Sequence, residues 1–377
     1  MSFAAYEKEV SLFQDLSAIK YGNIVDSNLI IEHRSGFGLI TLNRPEALNA
    51  LTLGMIRGIR EVLAVWRNDP EIKAVVFRGA GDRAFCAGGD VKKVYEAGIG
   101  IDDPVLKTTL ARTYFADEYR MNRELFHYPK PTIAFMNGIT MGGGFGVAGA
   151  CKTRVATEKT VFAMPEVGIG FFPDVGSVYT LTRCPKRAGY WLALTGASIG
   201  AADMLPLGIA THYMSGDQLA AAFEQMVEVE DPEFLDTLSE APDDAGAKLV
   251  PHLDLVEKLF SANGVEGIVE SLSQSGDAFA VETAKIIASR SPTSLKLTHA
   301  YLDRMHDASF DAVTAMDYRL AIGCMQGHEF YEGIRAVLVD KDKSPRWQPP
   351  TLAEVGGGII ANYFSDVLPD LDQIPEN

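Results

Sequence analysis

Thr132-Ile133-Ala134-Phe135-Met136-Asn137-Gly138-Ile139-Thr140-Met141-Gly142-Gly143-Gly144 is the stretch on which the fold is decided. Thr132 to Met136 has the β-branched and aromatic character of a buried strand, Asn137-Gly138 signals a turn, and the triple glycine opens a short helix. The same order of events recurs on both sides. Upstream, Ala74-Val75-Val76-Phe77 predicts a strand, a loop through Gly79 and Gly81 follows, and Phe85-Cys86-Ala87-Gly88-Gly89-Asp90 opens another helix. Downstream, Thr153 to Ala156 and Val161 to Met164 predict strands ahead of Pro165-Glu166. Nearer the start, Leu29 to Arg34 and Gly38 to Leu42 are β-type runs around the hairpin signal Ser35-Gly36-Phe37. Leu48 to Arg67 reads as helix, because Leu51, Met55, Ile56, Ile59, Val62, Leu63 and Trp66 recur at spacings of three and four before Asn68-Asp69-Pro70. The unit is strand–strand–helix, repeated in structure without a clear sequence repeat.

This rhythm sets the expected organisation. Residues 1–28 form an N-terminal extension and 29–216 a core of repeated units. From 217 to 377 strand signals thin out and helices such as Asp254 to Ala262, Val281 to Ala288 and Ser294 to Met305 take over. A tail with Ser344-Pro345 and Gly356-Gly357-Gly358 discourages regular structure.

Composition narrows the function classes. The chain has 377 residues, 47% apolar and 22% charged, which is ordinary for a globular protein. No apolar run is long enough for a membrane span. Acids among Met1 to Glu9 argue against a secretory or transit segment, so a cytoplasmic location is expected. The four cysteines lack disulfide or metal-ligand spacing. A net charge of −16 repels nucleic acid, and a polyanionic ligand would need a local basic patch.

The glycine-rich helix entrances carry the chemistry. Unpaired amides at a helix start attract a developing oxyanion, and two entrances converging on one carbonyl would form an oxyanion hole; tight helix–sheet packing is the plainer explanation for such glycines. Gly144 to Gly149 fits G-x-G-x-x-G, yet the next strand begins at Lys152, too soon for a parallel crossover. Gly196-Ala197-Ser198-Ile199-Gly200 fits G-x-S-x-G but follows a helix, without the strand that a nucleophile elbow needs. Glu166 and Asp174 lie amid apolar residues, where a desolvated carboxylate has a raised pKa suited to proton transfer or attack; a surface acid and a helix cap are the plainer readings. Composition alone places Glu118 on a solvated helix face. The histidines form no metal-binding set.

Together these motifs resemble the crotonase (enoyl-CoA hydratase/isomerase) superfamily. The resemblance rests on Asn43 to Leu51, Phe85 to Asp90 and Gly138 to Gly144. It is closest to the 3-hydroxyisobutyryl-CoA hydrolase branch, through Val155 to Lys159, Phe162 to Glu166, Phe172 to Gly176, Gly208 to His212 and Phe330 to Leu338. The resemblance implies an α/β fold, a ββα spiral core with a mostly helical C-terminal region. It implies oxyanion donors at Gly89 and Gly143, catalytic acids at Glu166 and Asp174, and Glu118 as acceptor from the substrate's hydroxyl. CoA would lie along Arg44, Ala47, Ala50, Arg83, Phe85, Ala87 and Gly88. The partner is an acyl-CoA substrate; CoA is part of that substrate, and neither cofactor nor metal is implied. A homo-oligomer stays open. Hydratases of the superfamily hold water between two glutamates. The first of these is replaced here by Gly146, and Asp174 stands where they usually have glycine. Hydrolysis of a short 3-hydroxyacyl-CoA, of valine-catabolism type, is therefore expected. The alternatives are a hydratase or isomerase of the same fold and, further off, a non-catalytic binding protein.

Overall fold

The computed structural model describes residues 26–365, 368 and 370–374, so the expected extension lies outside them except for residues 26–28. The chain alternates between two sheets. The strands are β1 (Leu29–Arg34), β2 (Phe37–Leu42), β3 (Ala74–Gly79), β4 (Ala84–Cys86), β5 (Thr132–Met136), β6 (Ile139–Met141), β7 (Thr153–Ala156), β8 (Val161–Ala163) and β9 (His212–Tyr213). One sheet has the order β1-β2-β3-β5-β7-β9 and the other β4-β6-β8. Among these nine strands β1 and β2 pair antiparallel and the other neighbours parallel. The pairs β3–β4, β5–β6 and β7–β8 each contribute one strand to each sheet, whereas β1 and β2 both lie in the large one. The helices α2 (Val91–Gly98) and α4 (Gly143–Ala150) follow the glycine-rich entrances, α1 (Leu53–Arg67) follows β2, and α3 (Thr109–Phe126) lies between α2 and β5 in the chain.

Burial on both faces explains the continuous apolar runs of the large sheet. Ile40, Leu42, Val75 and Phe77 face α1, which buries Met55, Ile59, Val62 and Trp66. Phe37, Leu39, Val76 and Ile133 face the helix Leu219–Val229 through Phe223 and Met226. The C-terminal helices α5 (Pro292–Met305), α6 (Phe310–Gln326) and α7 (Glu329–Ile334) add Leu295, Tyr301, Val313, Leu320, Phe330 and Ile334 to the same cluster as the spiral. They wrap the core and close over its loops.

Two boundaries differ from expectation. The helix expected from Leu48 begins at Leu53, because Leu48 and Asn49 are left-handed at φ 53° and 57°. Thr52 then caps it by accepting the Met55 N–H at 3.1 Å. In the tail, Gly357–Tyr363 forms a helix where irregular chain was expected. Its glycines sit at the start, and Ile360 is buried.

Close helix–sheet packing is testable at two glycines. A Cβ on Gly144 would lie 2.1 Å from the Cys86 carbonyl oxygen, whereas one on Gly267 meets nothing closer than 3.4 Å. Gly144→Ala should lower the melting temperature strongly, by the few kcal/mol or more typical of overpacking (about 1–3). Gly267→Ala, inside the helix Gly264–Ser275, should raise it slightly, by about 0.5–1 kcal/mol. Thermal melts of both variants check the pair.

Candidate active site

Because β4, β6 and β8 are adjacent and parallel, their C-terminal ends open at one edge of the small sheet. β4 runs into Gly88-Gly89, β6 into Gly142-Gly143, and β8 into Glu166. The two glycine loops touch. A Cβ on Gly143 would lie 2.5 Å from Glu118 Oε1 and 3.1 Å from the Gly89 nitrogen, and one on Gly142 would lie 3.0 Å from Glu166 Oε1. Gly142 also takes φ 48° with ψ −127°, a conformation that side chains oppose.

The backbone aims both amides into the gap. Leu51 N–H donates to the Gly88 carbonyl at 2.8 Å, and the Cys86 thiol reaches the same oxygen at 3.5 Å. In a planar trans peptide the Gly89 N–H must point the other way. Gly146 N–H donates to the Gly142 carbonyl at 3.0 Å, which likewise turns the Gly143 N–H outward from the start of α4. Among the described residues neither amide has an acceptor. Their partner is left to a ligand.

Around this gap the structure gathers the three expected acids. Glu118, placed by composition on a solvated face, is instead 2% exposed on α3 and close to Gly143. Glu166 and Asp174 are buried too. Glu118 Oε1 and Glu166 Oε2 have no hydrogen-bond partner. Asp174 Oδ2 accepts from the Tyr119 hydroxyl at 2.6 Å. Among the described residues no ion pair reaches any of them, and burial is the main cause of their altered proton affinity. Burial and the neighbouring Asp174 charge hold Glu118 and Glu166 well above the usual carboxylate range. Burial pushes Asp174 up to about 7, against the opposing Tyr119 hydrogen bond. Several acids in a dry site cannot all ionise, so the cluster retains protons near neutrality.

Gly146 faces this cluster but has no room for a side chain. A Cβ there would lie 2.7 Å from Val175 Cβ and 3.0 Å from Asn122 Nδ2. Val175 is driven into that space by a left-handed backbone, φ 55°, rare for a β-branched residue. Its shape follows directly from the Asp174 loop.

The residues expected along CoA form one rim. Arg44 donates to the Ala50 carbonyl at 2.7 Å and pairs with Asp90 at 3.3 Å; Ala87 N–H donates to Leu48 at 3.0 Å; Arg83 donates to the Pro45 carbonyl at 2.6 Å. Ala47 and Ala50 are half-buried beside them. The Phe85 ring is fully buried in the core, so only its backbone can face the rim. Sequence reasoning missed Tyr119, Asn122 and Asp317. Tyr119 adjoins Glu118 in sequence, which was a usable signal; Asp317 had none.

A model described as enoyl-CoA hydratase/isomerase matches residues 37–364. The chain belongs to that family. Similar family members include the mitochondrial 3-hydroxyisobutyryl-CoA hydrolases of Danio rerio, 43% identical over 90% of this chain and 90% of that protein, and of Homo sapiens, 41% identical over 97% and 95%. Among solved structures, a carnitinyl-CoA dehydratase from Mycobacterium thermoresistibile superposes with TM-score 0.87 at 37% identity, covering 93% of this chain and 100% of that one. An enoyl-CoA hydratase from Rhodobacter sphaeroides 2.4.1 gives 0.82 at 33%, covering 89% and 97%. The fold is thus the family's α/β spiral. The expected cytoplasmic location is overturned, because these hydrolase relatives are mitochondrial by name. That expectation leaned on Met1 to Glu9, which lie outside the described residues, and acids there do not decide a compartment.

The acid cluster makes stability depend on pH. Asp174 binds its proton more tightly in the native state, at about 7, than at the ordinary value of 3.8. Its contribution is complete below about pH 4 and is lost as pH rises through about 7. Glu118 and Glu166 shift in the same direction. Asp174→Asn should therefore raise the melting temperature, relative to the unsubstituted protein, more at about pH 8 than at about pH 5. Melts at both values test this; a difference independent of pH contradicts it.

Proposed function

We propose that the chain hydrolyses 3-hydroxyisobutyryl-CoA, a short 3-hydroxyacyl-CoA thioester, to the free acid and CoA. The carrying observation is Gly146 packed against Val175 and Asn122 beside two free amides and buried acids. The superfamily's hydratases hold the water from two sides by carboxylates, and here the space for one of them is occupied. Hydrolysis requires donors for the carbonyl oxygen and one carboxylate at the carbonyl carbon.

In this reading the thioester oxygen sits between the Gly89 and Gly143 amides, whose hydrogen bonds strengthen as the oxygen gains charge. Glu166 acts in its ionised form, which is eased when Asp174 holds its proton and no longer repels it. It supplies the attacking oxygen, either its own, giving a mixed anhydride that water then opens, or that of a water it deprotonates. The carbon–sulfur bond breaks and CoA leaves as thiolate, taking up the proton that Asp174 holds near neutrality. A thiolate leaves readily, so the step calls for no metal or cofactor. Glu118 Oε1, buried without a partner, accepts from the 3-hydroxyl and is relieved of that vacancy. Arg83, exposed and paired with no carboxylate among the described residues, suits a CoA phosphate on the rim. The hydrolase names of relatives over 40% identical across most of the chain support the substrate class.

The dehydratase and hydratase titles of the superposing structures favour a second reading, reversible hydration at the same oxyanion hole. One carboxylate, Glu166, would then move both protons.

A thiol-release assay tests the proposal. 3-Hydroxyisobutyryl-CoA should yield free CoA rapidly, crotonyl-CoA should gain water slowly or not at all, and Glu166→Gln should lower kcat about 100-fold or more. Rapid hydration of crotonyl-CoA without thiol release from any 3-hydroxyacyl-CoA rejects it.

A further inference from the structure

We propose that Asp317, on the C-terminal helix α6, is a positioning residue that holds Asp174 in its working place. The proposal rests on the hydrolase reading above and adds a residue that acts through another.

Asp317 is fully buried, yet among the described residues it is not half of an ion pair and its two oxygens serve as hydrogen-bond acceptors. Its Oδ2 accepts the Gly176 N–H at 2.7 Å, and its Oδ1 accepts the Tyr301 hydroxyl at 2.6 Å. Gly176 lies two residues beyond Asp174, and the segment between is the most constrained part of the site. Val175 and Gly176 are both left-handed, at φ 55° and 77°. A β-branched residue does not adopt this conformation unaided, so something outside the loop must hold it. Asn122 takes the Val175 carbonyl at 3.3 Å, and the Phe310 ring lies where a Gly176 Cβ would be. The shortest polar anchor on this segment is Asp317, whose buried carboxyl oxygen accepts the Gly176 amide at 2.7 Å.

The kink that this bond holds has two consequences. It presses Val175 against Gly146, and it turns the Asp174 carboxylate to the Tyr119 hydroxyl. Without the bond, the loop can relax out of the left-handed region, Asp174 swings from Tyr119, and the proton it carries no longer sits at the leaving sulfur. The carbonyl's hold on Gly89 and Gly143 is untouched, because those amides are set by β4, β6 and α4. Loss of Asp317 should therefore lower kcat and leave KM nearly unchanged.

The test compares Asp317→Ala, which removes the acceptor, with Asp317→Asn, which keeps one for the Gly176 amide. The alanine variant should lose about 10- to 100-fold in kcat, the scale of a small misplacement, with KM within about twofold. The asparagine variant should recover most of that loss. In an Asp174→Asn background Asp317→Ala should cost almost nothing more, since the residue to be positioned is already disabled. Amide exchange at Gly176 should speed up in Asp317→Ala and stay protected in Asp317→Asn. If the alanine variant does not melt cooperatively, Asp317→Leu fills its space without an acceptor and takes its place. A folded alanine or leucine variant with normal kcat overturns the proposal. So does an asparagine variant as impaired as alanine, or a loss that multiplies in full with that of Asp174→Asn. If the unsubstituted protein releases no CoA, the hydrolase reading fails on its own, and exchange at Gly176 alone decides Asp317: equal protection in all variants rejects its hold on the loop.

Discussion

Everything in the site depends on the contact between two stretches of bare backbone, Gly88-Gly89 and Gly142-Gly143. No side chain can stand between them, since a Cβ on Gly143 would already lie 3.1 Å from the Gly89 nitrogen. The contact exists because β4 and β6 are parallel neighbours and each opens a loop at the same edge. Their amides stay unpaired for a different reason: Leu51 and Gly146 take the carbonyls of the same peptides and so turn the N–H groups outward. The fold thus prepares two donors before any ligand arrives, and their orientation need not be reorganised during reaction.

The second constraint is electrostatic. Glu118, Glu166, Asp174 and Asp317 share a dry region with no cation among the described residues paired to them. Such an arrangement is unfavourable for folding and useful for proton transfer, because it keeps carboxyl groups protonated at a pH where they are ordinarily charged. The protein meets this cost with helices from its C-terminal region. Ser291 N–H holds the Val167 carbonyl beside Glu166, and Asp317 holds the loop beside Asp174. The helical region is therefore part of the site, and its buried residues belong to the same apolar cluster as the spiral.

Much of this was legible in the sequence. The paired strands, the glycine-rich helix entrances and the apolar setting of Glu166 and Asp174 are local patterns, and local patterns survive folding. Boundaries read less well where the backbone leaves the usual regions: Leu48 and Asn49 look helical by composition but are left-handed. Glu118 was misjudged from composition because its helix is buried nearly all round, with Tyr114, Phe115, Tyr119 and Asn122 inside as well. A one-sided periodicity cannot show that. Asp317 was invisible for a simpler reason. Its role depends on Gly176, 141 residues away, and nothing near it in sequence announces the bond. The closure of Gly146 was half legible: the missing acid could be read, while the Val175 side chain filling its place could not.

The central claim is that this arrangement cleaves a thioester and does not exchange water with a double bond. Its most direct test is one substrate with two exits. Incubating the protein with 3-hydroxyisobutyryl-CoA, and resolving products by mass, separates free 3-hydroxyisobutyrate from the 2-methylpropenoyl thioester formed by loss of water. The account predicts that free acid and CoA appear in equal amounts, with the unsaturated thioester absent throughout. Accumulation of the unsaturated thioester with no free acid would contradict it.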